Sequence, residues 1–225
     1  MYQRDYLMRQ IEQAARAVAA ILRKALGGDP DEALSMLDEA YQPLLGISSR
    51  VVSTLTDEQL ISLLVSGSSP DLRRVVSVLE AVKAEADVHG MRGDEQAAAT
   101  GYRRALGLAA YLAGHSDRLD GQLAADLVER VGGLDLTAHQ RLGLARVLED
   151  LGRYADAEDA LFEAIEAVPD DARPTDTGIM FYQRLLARDD GELEAGDLPR
   201  DEVKAGLAEL LRRQVPDEPL DWDQP

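Results

Sequence analysis

Cysteine is absent from the 225-residue chain. That excludes a disulfide framework, a thiolate metal site and a cysteine nucleophile, and it fits a reducing compartment. Aromatic residues are scarce at 4%, with two Phe and one Trp, while Ala and Leu dominate. Such a composition disfavours a β-sandwich and suits helices packed closely through small side chains. No apolar run approaches the roughly 18 residues needed to span a bilayer, and no apolar segment near the start is followed by a small-residue cleavage site. A cytoplasmic protein with no membrane role is the expectation. Positive charge is also in deficit: 24 Lys and Arg face 42 Asp and Glu, a formal net charge of −18. Phosphate contacts need clustered cations, so this balance argues against nucleic acid as a partner. The acidity reads first as solubility, and second as a surface for a basic partner or a decoy of DNA.

The hydrophobic share of 45% is enough for a buried core, and its spacing is helical. From about residue 3 to 26 the residues Leu7, Ile11, Ala14, Val18, Ile21 and Ala25 alternate at four and three, the seam of a helix packed along another helix. The first 28 residues carry Arg4, Arg9, Arg16, Arg23 and Lys24 against only Asp5 and Glu12, so this segment is basic within an acidic chain. Asp29-Pro30-Asp31-Glu32 starts a second helix running to about Leu45, and Thr56 to Gln59 supplies a capping box for a third. Gly67-Ser68-Ser69-Pro70 is a break and a natural domain boundary. Beyond it a helix from Asp71 (Leu72, Val75, Val76, Leu79, Val82, Ala86) and another with Ala98, Tyr102, Ala105, Leu106 and Ala109 are joined by a turn at Met91 to Asp94 too short for anything but an antiparallel pair. Further helices are expected from about Arg118 to Val131, from Thr137 to Leu151, from Tyr154 to Val168, from Thr177 to Arg188 and from Arg200 to Arg213. The acidic stretch Asp189 to Asp197 should separate the last two.

The segment His139 to Pro169 resembles one unit of a tetratricopeptide-repeat (TPR) protein. The resemblance is carried by Leu151-Gly152-Arg153-Tyr154-Ala155-Asp156-Ala157 and by Leu144, Ala145, Leu148, Leu161 and Ala164. Ala145 and Ala157 let two backbones approach, the large residues fill the space around them, and Pro169 stops the hairpin. Gly93-Asp94, Ala98, Tyr102, Ala105 and Leu106 resemble the same unit, although Glu85 stands at a usually apolar position. The turn glycines, Gly93 and Gly152, are 59 residues apart, neither one repeat of roughly 34 residues nor two. The expected fold is therefore all-α, an irregular TPR-like array of antiparallel hairpins with about ten helices. Residues 1–66 would form an N-terminal helical subdomain capping the array, residues 70–213 the repeat region, and residues 214–225 a disordered acidic tail. Met1-Tyr2-Gln3-Arg4-Asp5-Tyr6-Leu7-Met8-Arg9, with Asp31-Glu32-Ala33-Leu34 and Gly93-Asp94-Glu95, also looks like a bacterial family of TPR-like proteins with no assigned function.

No catalytic constellation stands out. His89, His115 and His139 form no His-Glu-x-x-His arrangement, and Glu85 with His89, four apart, reads as a surface pair with too few ligands for a metal. Phosphate loops, dinucleotide glycines, nucleophile elbows and calcium loops are missing. No metal or cofactor is expected. The TPR resemblance implies that the first helix of each hairpin lines a groove for extended peptides. Aligned on the turns, the groove positions are Lys83 and Asp87 from the earlier hairpin and His139, Leu142, Arg146, Glu149 and Asp150 from the later one. The expected role is a non-catalytic scaffold or adaptor for a peptide or protein. A homodimer joined through the Leu7 to Ala25 seam is the alternative, and an enzyme or ligand-binding protein built from residues distant in sequence is a third. Leu220-Asp221-Trp222-Asp223 holds the only Trp, an aromatic flanked by acids that reads as a short docking motif or as an inert tail.

Overall fold

In a computed structural model the backbone is described for residues 2–65, 71–115 and 119–214, and side chains from Met8 onward. The expected break at 67–70 and the tail motif at 220–223 lie outside the described residues. Those residues form thirteen helices and no strand, and none of the helices is long and apolar enough to cross a membrane. The chain divides into two compact units, residues 1–136 and 137–225. The division thus falls later than the break near residue 67, because helices from both sides of that break pack into the first unit.

The first unit comprises α1 (Tyr2–Leu26), α2 (Pro30–Ser35), α3 (Leu37–Leu45), α4 (Ser49–Val52), α5 (Asp57–Val65), α6 (Leu72–Met91), α7 (Glu95–Ala113) and α8 (Gly121–Val131). Local chemistry sets most of these ends. Asp29 accepts from the Glu32 amide ahead of Pro30, Thr56 and Gln59 exchange bonds at the start of α5, and Asp94 accepts from the Ala97 amide to open α7. The single helix expected from residue 30 to 45 is broken at Met36, whose amide bonds three residues back to Ala33 instead of four. The short α4 carries no periodic apolar pattern, and its helix start is held by the Asp38 carboxylate accepting from the Ser49 amide at 2.6 Å.

α1 packs along α3 and α6 and touches α2. Ala14, Ile21 and Ala25 of its seam are buried, and Ile11 and Val18 are half-buried. Much of the apolar face that would serve a dimer is therefore covered by the chain's own helices. The Leu7 side chain lies outside the described residues. α6 and α7 form a long antiparallel hairpin, in which Gly101 meets Ala86 and the Tyr102 hydroxyl reaches Asp87. A Cβ on Gly101 would stand 2.7 Å from that of Ala86, closer than two methyl groups tolerate.

The second unit holds α9 (Ala138–Asp150), α10 (Tyr154–Ala167), α11 (Ala172–Leu185), α12 (Asp190–Ala195) and α13 (Arg200–Gln214). The capping box of Thr137 and Gln140 opens α9 as expected. Gly152 (φ 73°) ends it in a left-handed turn, where the Arg153 amide reaches back to Leu148 and the Gly152 amide to Glu149. Gly93 (φ 82°) closes α6 by the same pair of bonds, from Asp94 to His89 and from Gly93 to Gly90. The shared turn, met in sequence as a glycine before a polar residue, is one cap used twice. Ala145, Leu148, Tyr154, Ala157, Leu161 and Ala164 are buried between α9 and its neighbours.

α11 begins at Ala172, earlier than expected from periodicity. Asp171 caps it, and Pro174 sits in the first turn where no amide donor is needed. The acidic stretch after it folds into α12, because Asp189 accepts from the Glu192 amide at 2.8 Å. α11 and α13 form a second hairpin, with Leu210 against Gly178 and Tyr182 against Gly206. The first helices of the two hairpins start 34 residues apart, at Ala138 and Ala172. They are linked by a bidentate pair in which Arg184 donates to Glu149 at 2.7 and 2.6 Å.

Gly152→Ala should lower stability by about 1 kcal/mol through left-handed strain alone, since the site has open space around it. Gly101→Ala should also destabilise, because overpacking of about 1–3 kcal/mol outweighs the helix propensity that alanine brings. Urea unfolding checks both. A Gly101→Ala protein more stable than the parent would show that α6 and α7 separate freely.

Candidate functional site

A cleft of about 580 Å³ opens in the second unit where α9 and α11 begin. α9 contributes Ala138, His139 and Leu142, the α10–α11 connection contributes Val168 and Asp171, and α11 contributes Arg173, Pro174, Asp176, Thr177 and Met180. Its apolar lining is graded: Pro174 is buried, Leu142 and Val168 are half-buried, and Met180 is 50% exposed. Met180 thus leaves a large apolar side chain open at the edge of the hollow.

The polar groups of the cleft are held from below. Asp171 caps α11 and grips the Arg173 guanidinium at 2.6–3.0 Å. This contact, with the Arg173 amide, pulls the Asp171 carboxyl below its usual range. Arg173 nonetheless keeps 85% of its side chain exposed. The Thr177 hydroxyl donates to the Arg173 carbonyl at 2.8 Å, tying it to its own helix. Asp176 accepts from the Gln214 side chain at the end of α13. The cleft is thus an apolar slot bordered by one outward cation, Arg173, and two carboxylates, Asp171 and Asp176.

Of the groove positions expected from sequence, His139 and Leu142 line this cleft. Arg146, Glu149 and Asp150 continue along α9, with Glu149 only 11% exposed and committed to Arg184. Lys83 and Asp87 belong to the other unit, where they serve an internal network. Lys83 pairs with Asp87 at 2.9 Å and with Asp126 of α8. Tyr102 donates to Asp87 at 2.7 Å, and the Arg130 guanidinium lies 5.8 Å from the Tyr102 ring centre. Burial works against the Lys83 charge, but the two carboxylates outweigh it and raise its pKa. Both side chains are nearly 90% covered, with exposures of 11% and 12%. They bind α8 to the α6–α7 hairpin and offer little to a peptide.

Sequence reasoning missed a second polar cluster. Glu85 and His89 do not make the expected surface pair: Glu85 is 8% exposed, and its carboxyl accepts from the Tyr41 hydroxyl at 2.5 Å. Arg104, also buried, donates to the Ser53 carbonyl at 2.9 Å. His89 Nδ1 stands 3.6 Å from Asp94. These groups border a smaller hollow of about 300 Å³. The signal was the charge of Glu85 at an inward helix position; its partners Tyr41 and Arg104, 44 and 19 residues away, carried none.

The described residues define an all-α protein of packed helical hairpins with an open cleft at the start of α9 and α11. Residues 1–215 match the family of unknown function DUF6483, and the chain belongs to that family. No curated protein and no solved structure matches it.

Burial raises the Glu85 pKa above its ordinary 4.5, against the lowering pull of Tyr41, Arg104 and His89. The folded state therefore holds the Glu85 proton to higher pH than the unfolded chain, and stability falls as pH rises from about 4.5 through the folded pKa. Glu85→Gln keeps an acceptor for Tyr41 and removes this dependence. Its stability relative to the parent should improve as pH rises above about 4.5 in paired urea titrations. A constant difference between the two proteins would contradict the assignment.

Proposed function

We propose that the protein is a non-catalytic scaffold or adaptor, working in the cytoplasm, whose second unit binds an extended peptide or protein segment in the α9–α11 cleft. The observation that carries this reading is the convergence of His139 and Leu142, groove positions implied by the TPR resemblance, with Pro174, Thr177 and Met180 of the next hairpin in one open hollow. The 34-residue spacing of α9 and α11 supports a TPR-like stacking of two hairpins. Such stacking presents first helices side by side, and the cleft volume lies within the range of ligand sites.

The lining supports a partner with one large apolar side chain. An apolar side chain of the partner enters among Leu142, Val168, Pro174 and Met180, and an adjacent acidic group meets Arg173. The slot lacks the Lys, Arg and Asn cluster that would clamp a terminal carboxylate, so an internal segment of the partner is the better fit. Self-association through α1 is the weaker reading, because Ala14, Ile21 and Ala25 are already covered.

Selection of peptides from a random displayed library on the full chain should enrich sequences with a large apolar residue next to an acid. Met180→Asp should weaken the enriched peptides at least tenfold, about 1.4 kcal/mol, while leaving helix content intact by circular dichroism. Enriched peptides that bind the Met180→Asp protein as well as the parent would place the binding surface elsewhere.

A further inference from the structure

The C-terminal residues 215–225 read Val-Pro-Asp-Glu-Pro-Leu-Asp-Trp-Asp-Gln-Pro. They combine large apolar residues, Val215, Leu220 and Trp222, with acids placed beside them: Asp217, Glu218, Asp221 and Asp223. Their large apolar residues match the apolar part of the α9–α11 lining, Leu142, Val168, Pro174 and Met180. We propose that this segment folds back and occupies the cleft of its own chain, with Leu220 or Trp222 among Leu142, Val168, Pro174 and Met180, so that partners must displace it. The proposal rests on the reading of the cleft as a peptide site and names its resident occupant.

Three observations favour this occupant. The first is where the segment starts. α13 ends at Gln214, and the Gln214 side chain donates to Asp176, which is itself a lining residue of the cleft. The segment therefore leaves the fold at the border of the hollow it would fill. The second is reach. Trp222 is eight residues beyond Gln214, and an extended chain spans up to about 3.3–3.6 Å per residue. The cleft's α11 lining runs from Arg173 to Met180, and at 1.5 Å per helical residue that is only about 10 Å. The third is matching composition. Leu220 and Trp222 suit the apolar lining, and the acids beside them can approach Arg173, which is paired with Asp171 yet keeps 85% of its side chain exposed.

The tether makes weak docking effective. A segment attached at the edge of its site experiences an effective concentration in the millimolar range. Contacts too weak to hold a free peptide would then still fill the cleft. The family match covers residues 1–215, so the cleft lies within the matched part and nearly all of the segment beyond it.

Trp222 is the only tryptophan of the chain, and its fluorescence reports directly on the full-length protein. The expected result is blue-shifted emission with slow acrylamide quenching, moving to solvent-like behaviour in Met180→Asp and in Arg173→Glu while circular dichroism is unchanged. A synthetic peptide of residues 215–225 should bind the Leu220→Ala/Trp222→Ala chain about tenfold more tightly than the parent, whose cleft is already filled. Solvent-like emission in the parent overturns the proposal, as does protected emission indifferent to both cleft variants. Protection that grows with protein concentration also overturns it, in favour of exchange between two copies. Failure here with continued Met180-dependent binding of library peptides would leave the cleft reading standing; loss of both would remove the cleft itself.

Discussion

The distance between paired helices is the constraint on which the rest of this fold depends. With 4% aromatic residues, the core cannot be filled by large rings spanning wide gaps, so backbones must come close enough for alanine and leucine to fill the space. Gly101 against Ala86 sets this distance in the α6–α7 hairpin, and Gly178 against Leu210 with Gly206 against Tyr182 sets it in the α11–α13 hairpin. Close approach in turn requires turns that reverse the chain within a few residues. Gly93 and Gly152 provide them through the same left-handed cap.

Close packing brings polar groups inside with the apolar ones, and the acid excess shapes how they are satisfied. With 42 acidic residues against 24 basic ones, not every inward carboxyl can have a cation. Two of them take tyrosine hydroxyls instead: Glu85 accepts from Tyr41 and Glu158 from Tyr182, each at 2.5 Å. Burial raises the pKa of both carboxyls, and a hydroxyl donor satisfies them in either protonation state. The available cations are placed where they join helices, Lys83 between α6 and α8 and Arg184 between α11 and α9.

The cleft follows from the same arrangement. Where two hairpins stack through their first helices, the N-terminal turns of α9 and α11 leave a hollow that neither helix fills. Pro174 and Val168 shape it because a proline-tolerant first turn follows directly on the loop that Pro169 and Asp171 define. The apolar slot is thus a by-product of how the two hairpins pack.

Helix type, most helix ends and the hairpin turns were legible residue by residue, since they rest on interactions within a few positions: Asp29 with Glu32, Thr137 with Gln140, Gly152 with Leu148 and Glu149. His139 and Leu142 were legible as groove positions only through the TPR resemblance, and both line the cleft. What a distant segment places against a helix face was not legible. Lys83 and Asp87 have the same local signature as exposed groove residues, yet α8 covers them; Glu85 looked like a surface residue until Tyr41, 44 positions earlier, came to rest beside it. The division at residue 136 and the burial of the α1 seam are likewise outcomes of packing. Local hydrogen bonds and periodicity act over one or two turns and are written in adjacent residues, whereas burial and pairing depend on which of many similar Ala- and Leu-rich faces meet, and that is settled when the whole chain minimises its exposed apolar surface.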